Sequence, residues 1–374
     1  MNRGQGERPS RKALIRRFSW GLAGVLLLIA LLLIGGCRAD EAISFVDSDL
    51  EAVVAEALGL PSGPVRRSQA EELTELVASS REISRLDGIE ALVNLTRLDL
   101  SENHVSDLAP LAGLSSLEEL RLASNEIEDV ESLRDLHGLV HLDLDFNTIA
   151  DVSALQSLTR LRWLGLWNSR IRDVAPLREL VELRELGLGG NAVEDTSPLA
   201  GLTQLEWLGL PNTGIEDLAF LTGMTKLIKL SLGGNRIRDL SPLAQLTSLE
   251  GLGLDSNEIV DVSPLAGLTN LRRLSLWGNH VSDVAALRDL VQLEELSLDR
   301  NPLSDIRVLE RFLALKYLGL SGTEVTDLDP ILANPGIGDG DELLLGGTPI
   351  AAERSPGDAI DSLTQRGVRV SVDP

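Results

Sequence analysis

Leucine returns every 22 residues along most of this chain, at Leu100, Leu122, Leu144, Leu166, Leu188, Leu210, Leu232, Leu254, Leu276, Leu298 and Leu320, without a slip. Around each one the same order of apolar and polar positions repeats. Leu98 and Leu100 alternate with polar neighbours, which is the period-two sign of a half-buried strand. The next such strand comes 22 residues later and runs the same way, so a crossover is needed and the rest of the unit supplies it. That leaves too little chain for a full return helix, and short 3₁₀ or helical turns are expected there. Ser197-Pro198, Ser241-Pro242 and Ser263-Pro264 read as an N-cap followed by proline at the first helical position. A fixed period of this length marks a solenoid with one coil per repeat. It overrides the two or three domains that 374 residues would otherwise suggest.

Two polar columns accompany the leucines. Asn103, Asn125, Asn147, Asn191, Asn235, Asn257, Asn279 and Asn301 fall where the chain leaves the strand. Each amide is expected to bond backbone groups of its own coil and the next. Ser169, Thr213 and Thr323 interrupt the column, and their shorter reach predicts slightly weaker coils. Seven residues after each leucine stands an aspartate, from Asp107 to Asp327. It reads as an acceptor for backbone N–H groups one to three residues on. Calcium would need about six to eight oxygens, and no second carboxylate keeps a fixed column beside it, so no metal is expected.

One coil cannot stand alone, and both ends of a solenoid need caps. Ser48-x-x-Glu51 reads as a capping box opening a helix through Leu50, Val53, Val54 and Leu58. The register is faintly present before it becomes regular, in Leu73, Leu76 and Ile83. At the far end Leu343, Leu345, Thr348 and Ile350 form one more coil after a three-residue insertion. Ser355-Pro356 then opens a helix that Gly367 ends, and Val368, Val370 and Val372 alternate like a closing strand.

The motif L-x-x-L-x-L-x-x-N-x-[IV]-x-D-[LVI]-x-P-L resembles the 22-residue leucine-rich repeat of bacterial internalins over roughly residues 44–350, and Ser44 to Leu92 resembles their helical cap. The resemblance implies an α/β-type repeat solenoid, a horseshoe or arc. Its parallel sheet lies on the concave face, short 3₁₀ or helical turns lie on the convex face, and the caps are a helix at the N-terminus and a helix and strand at the C-terminus. It also implies binding by the concave face. No immunoglobulin-like domain and no wall-sorting motif follow the repeats before Pro374, so host-cell invasion is not carried over. The expected organisation is a signal peptide at 1–36, a short membrane-proximal linker at 37–46 and a cap with a degenerate first coil at 47–92. Eleven regular repeats follow at 93–334, then an irregular coil and cap at 335–374.

The N-terminus carries an address. Arg11, Lys12, Arg16 and Arg17 precede an apolar run from Trp20 to Ile34, and Gly35-Gly36-Cys37 follows. This is the layout of a secretory signal. A cysteine at the cut resembles a bacterial lipoprotein signal, which implies that Cys37 is diacylated and begins the mature protein. The other reading is an uncleaved anchor, for which the run is short of the about 20 residues a span needs. Either way the repeats face away from the cytoplasm, in the cell envelope. Arg38 replaces the aspartate that resembles an inner-membrane retention signal, which points to the outer membrane if the cell is Gram-negative.

Net charge is −23 for the whole chain and more negative without its basic start, so nucleic acid is not an expected partner. Cys37 is the sole cysteine and no internal disulfide can form. The four histidines are scattered, and no HExxH, nucleophile elbow or phosphate loop appears, so neither an enzyme nor a cofactor is expected.

Aromatic residues make up 3% of the chain, yet on the outward strand columns they gather. Trp163, Trp207, Tyr317 and His141 share one column; Trp167 and Trp277 share another; Phe146 lies just beside the strand. Trp163, Trp167 and Trp207 are expected to form one apolar platform. Gly165, Gly187, Gly189, Gly209, Gly233, Gly251 and Gly253 suggest a bare floor that lets a ligand approach closely. Asp143, Asp145, Glu185, Lys229, Asp255 and Arg273 surround it. The candidate partner face is therefore His141, Phe146, Trp163, Trp167, Glu185, Trp207, Lys229, Arg273, Trp277 and Tyr317. Tryptophan and tyrosine are the usual anchors of interfaces, so a protein or peptide on or near the envelope is the expected partner. A glycan stacked on the same rings, or a passive spacer, is the alternative. Trp163→Ala with Trp207→Ala is expected to end partner capture while leaving melting nearly unchanged.

Overall fold

The structure, a computed structural model, describes residues 40–60, 63–352 and 358–373. The signal segment 1–36, Cys37, Arg38 and Ser355-Pro356 lie outside the described residues. Among those described, fourteen strands form one open sheet in chain order, from β1 (Glu75–Val77) and β2 (Arg97–Asp99) to β13 (Glu342–Leu344) and β14 (Arg369–Ser371). All pairings in it are parallel, and each residue faces its counterpart one repeat on: Leu98 faces Leu120, and Leu142 faces Leu164. At β12 (Tyr317–Gly319) Tyr317 faces Glu342, three residues beyond the repeat, where the insertion falls. The sheet lines the inside of an arc and the short 3₁₀ turns its outside.

The core between them is aliphatic and continuous. Leu120, Leu122, Leu142 and Leu144 are fully buried, as are their counterparts along the arc. Helix α1 (Ser48–Ala57) closes one end; the one-turn helix α2 (Arg67–Ala70) follows it. At the other end stand α3 (Asp329–Ala333), α4 (Asp358–Gln365) and β14.

The turns are capped differently from the sequence expectation. Ser197 and Ser263 are the first residues of their 3₁₀ segments, not the caps. The capping oxygen comes from the aspartate column: Asp195 accepts the Ser197 N–H and Asp261 the Ser263 N–H, both at 2.8 Å. Asp107 does the same for Ala109 at 2.9 Å. A carboxylate two residues ahead reaches the open N–H directly, and proline in second place has none to offer. Likewise α1 is capped by Asp47 rather than Ser48, so there is no Ser48–Glu51 capping box. One Asp47 oxygen accepts from Asp49 and Leu50, and the other accepts from the Ser84 and Arg85 backbone, tying the cap helix to the first coil.

The asparagine column also differs in direction. Asn147 Nδ2 donates to Leu144 O in its own coil and to Leu122 O in the coil before, each at 3.0 Å. Its Oδ1 accepts the Ile127 N–H at 3.0 Å. The partners outside its own coil thus belong to the preceding coil, not the next, because that bend is the one left with an open carbonyl and N–H. Thr323 keeps one bond, to Leu320 O, while the Thr213 hydroxyl bonds Leu210 O and, at 3.2 Å, Asn235 Oδ1. The Ser169 hydroxyl is buried with no partner.

A concave groove as candidate functional site

The first residue of each strand points out of the sheet, and on successive strands these are His141, Trp163, Glu185, Trp207, Lys229, Gly251, Arg273, Glu295 and Tyr317. The rings pair along this face. His141 stacks on Trp163 with centroids 4.1 Å apart and planes 7° from parallel. Burial holds the His141 imidazole below its ordinary pKa. Trp167 stacks on Trp207 at 6.2 Å and 23°. The expected three-tryptophan platform is therefore two separate pairs, with Trp163 joined to His141.

The glycine floor divides in two. A Cβ on Gly187 would lie 2.0 Å from Trp167 Nε1, one on Gly189 2.5 Å from the same indole, and one on Gly209 2.8 Å from it. A Cβ on Gly165 would lie 2.6 Å from the Trp163 ring and 2.7 Å from Asp145 Oδ1. These four glycines are not bare; they are roofed by the indoles, and any side chain there would displace a ring. Asp145 accepts the Trp167 backbone N–H at 2.7 Å. Burial pushes its carboxyl up to about 6, and pushes Asp143 up as well.

Past Trp207 the floor is open. The nearest atoms to a Cβ on Gly233, Gly251 or Gly253 lie at 3.4, 3.7 and 3.7 Å, which is ordinary contact, and no left-handed backbone demands glycine there. Above this floor is a cavity of about 590 Å³ lined by Trp207, Lys229, Asp255, Arg273, Trp277 and Tyr317. Arg273 Nε pairs with Glu295 at 3.2 Å, and the Arg300 guanidinium sits 5.0 Å over the Trp277 ring. Lys229 makes no ion pair among the described residues. Burial and nearby carboxylates push the Tyr317 phenol up. A second cavity, about 500 Å³, lies between Trp163, Glu185, Trp207 and Lys229, so Trp207 and Lys229 border both. Phe146 stands apart from both ring pairs, at the strand exit.

Sequence reasoning did not single out Ser231, Ser275, Ser297 or Arg300. The serines take the place of glycine in its own column around the open cavity, which was the signal available. Their hydroxyls are partly engaged: Ser275 bonds Asp255, and Ser297 bonds Asp299 at 2.6 Å. Among the described residues no three His, Cys, Asp or Glu side chains are grouped to hold a metal ion. His104, paired with Glu82 and Glu126 at 3.1 and 3.0 Å, is an exposed surface group.

Leucine-rich-repeat models match residues 93–149 and, in overlapping two-repeat copies, residues 203–311. The crystal structure of an internalin, InlF, from Listeria monocytogenes is 32% identical; the match covers 80% of this chain and 97% of that one, with a TM-score of 0.72. The chain belongs to the internalin family of leucine-rich-repeat proteins. A leucine-rich-repeat protein of Leptospira interrogans (20% identity, 82% of this chain and 85% of that one, TM-score 0.69) shares the fold. So does the functional domain of InlJ from Listeria monocytogenes (22%, 82% and 77%, 0.57). No curated protein matches the chain. In an internalin-type solenoid the concave sheet is a long surface whose outward side chains are free of core duty, and such folds use that surface to bind proteins. Here it carries a groove with an open floor at one end and a packed aromatic floor at the other.

Proposed function

We propose that this internalin-type chain is a non-enzymatic binding module of the bacterial cell envelope, taking a protein or an extended peptide into its concave groove. The observation that carries this reading is the open cavity beside Trp207, Trp277 and Tyr317, above glycines that neither packing nor backbone conformation requires. Bulky anchors beside an unfilled hollow that a partner can fill and dry are what interface hot spots are made of. A glycan is the second reading, favoured by hydroxyls and a carboxylate next to Trp277. It is weaker because the Ser275 and Ser297 hydroxyls are already engaged within the chain.

The test is crosslinking in intact cells with Trp277→Ala and Tyr317→Ala combined. Neither ring roofs a glycine, so melting should be nearly unchanged and the crosslinked partner lost. A partner retained by the double variant overturns the reading. A glycan array bound by the wild type and not by the variant replaces it with the sugar reading. The Trp163→Ala and Trp207→Ala pair is less suitable, because Trp207 packs on Trp167.

We also propose that Cys37 is diacylated and holds the repeats outside the cytoplasm close to a membrane, the outer one in a Gram-negative cell. The lipobox-like Ile34-Gly35-Gly36-Cys37 supports this. Cys37→Ala should move the protein from the membrane fraction to the soluble fraction; unchanged partitioning rejects lipidation there.

A further inference from the structure

Lys229 and Arg273 stand on either side of an empty place in the groove. They head strands separated by one other, and the strand between them carries Gly251 at that position. At about 4.8 Å per strand their Cα atoms lie roughly 10 Å apart. Both line the open cavity. Elsewhere on this face a cation is paired across neighbouring strands: Arg97 with Glu75 at 2.8 Å, and Arg273 with Glu295 through Nε alone. Lys229 has Trp207 on one side and Gly251 on the other at its strand position, and it makes no ion pair among the described residues, although Glu185 and Glu206 border the second cavity with it. Glycine costs a strand stability and here answers no internal need, since a Cβ at Gly251 would meet only Lys229 Cγ, at 3.7 Å. In a chain of net charge −23, the lining of this hollow balances two acids, Asp255 and Glu295, with two cations, an ammonium outside any ion pair and a half-used guanidinium, and the two cations flank the empty place itself.

We propose that this hollow receives an aspartate or glutamate side chain of the partner, held between Lys229 and Arg273. Apolar side chains of the same segment rest on Trp207 on one flank and on Trp277 and Tyr317 on the other. The inference rests on reading the groove as a peptide site and names the chemistry of its occupant. Asp255 lines the same cavity and repels a second acid on its side, which fixes the segment's register. A charge-assisted bond to a partly desolvated carboxylate outweighs a neutral one, so the site discriminates aspartate from asparagine.

The experiment pans a displayed library of random peptides against the intact chain. Selected peptides should carry an acid at one fixed position next to an aromatic or aliphatic residue. Replacing that acid by its amide should weaken binding about tenfold. Lys229→Glu with Arg273→Glu should reverse the selection toward lysine and arginine, and Gly251→Leu should fill the hollow and lose the acidic peptides with melting unchanged. Peptides that depend on Trp277 but show no acidic preference overturn this inference and leave the groove reading standing. If no peptide depends on Trp207 or Trp277, the groove reading fails and this inference with it. Binding of an anionic polysaccharide in place of any peptide overturns it as well.

Discussion

Asp145 is a carboxylate made to live under an indole. Its ordinary value of 3.8 is raised to about 6 by burial, against the opposing pull of the Trp167 N–H and with help from the Asp143 charge. The folded form therefore keeps its proton to higher pH than the unfolded form. Between about pH 4 and 6 the folded state binds more protons, so stability falls as pH rises through that window and this group adds no further change above it. Asp145→Asn keeps the acceptor for Trp167 and removes the ionisation. Denaturant melts should show the variant gaining on the wild type at pH 7.5 and not at pH 3.5; equal gains at both pH values reject this account. Phe146 shows strain of another kind. It has φ 56°, in the left-handed region, where the corresponding positions of other coils hold Gly190, Gly234, Gly278, Ser124 or Asn168. A bulky residue there costs about 1 kcal/mol, and its ring is 55% exposed. Phe146→Gly should raise stability by about that amount in thermal melts, while no gain would mean that the ring packs usefully.

At the level of elements, identical letters in one column do different jobs. Gly187→Ala puts a methyl into the Trp167 indole, and overpacking of this sort costs about 1–3 kcal/mol. Gly251→Ala meets nothing closer than 3.7 Å and should leave the melting temperature in place. Equal losses at both sites would remove the distinction between roofed and open floor. Ser169→Asn restores a missing rung: its amide would reach Leu144 O and Leu166 O, and its oxygen the Ile149 N–H, by the pattern of Asn147. A gain of about 1 kcal/mol in chemical denaturation is expected, since an unpaired buried hydroxyl is replaced by a bonded amide. Strands, their parallel register and the capping coils were legible in the chain because leucine burial repeats without exception. The direction of the asparagine bonds and the identity of the turn caps were not. Both depend on which backbone groups a bend leaves open, and local preference for serine before proline hid the aspartate two residues earlier. Likewise the outward column of Trp163, Trp207 and Tyr317 could be read from spacing. Which glycines the indoles cover could not, because Trp167 reaches across two strands to Gly209.

Over the whole molecule a solenoid has no contacts between distant coils, so its stability is a sum of coil and interface terms and it opens first at its weakest seam. Just past the strand exits one backbone bond usually joins each coil to the one before: His104 to Ile83, Glu126 to Val105, Thr148 to Ile127, Arg170 to Ile149, and again Arg236 to Ile215, Glu258 to Ile237 and His280 to Ile259. Between these runs the series slips. Glu194 donates instead to Arg172 O at 3.1 Å, and the Gly214 N–H turns to Asn235 Oδ1 at 2.9 Å. Ser169 and Thr213, two of the replaced asparagines, fall in the same stretch. On the inner face these same coils carry the Trp167–Trp207 stack over Gly187, Gly189 and Gly209. The indoles thus bridge on the concave side a seam that the backbone leaves thin past the strand exits. Native-state hydrogen exchange should find the amides past the strand exits from Ile171 to Ile215 less protected than those from Val105 to Ile127 or from Ile237 to Ile259. Trp167→Ala should widen that gap and split unfolding into two transitions, whereas Trp277→Ala, which roofs no glycine and lies beyond the seam, should leave one. Uniform protection along the arc, with a single transition in Trp167→Ala, would show that the inner stack carries no such load and that its rings are free to serve the partner alone.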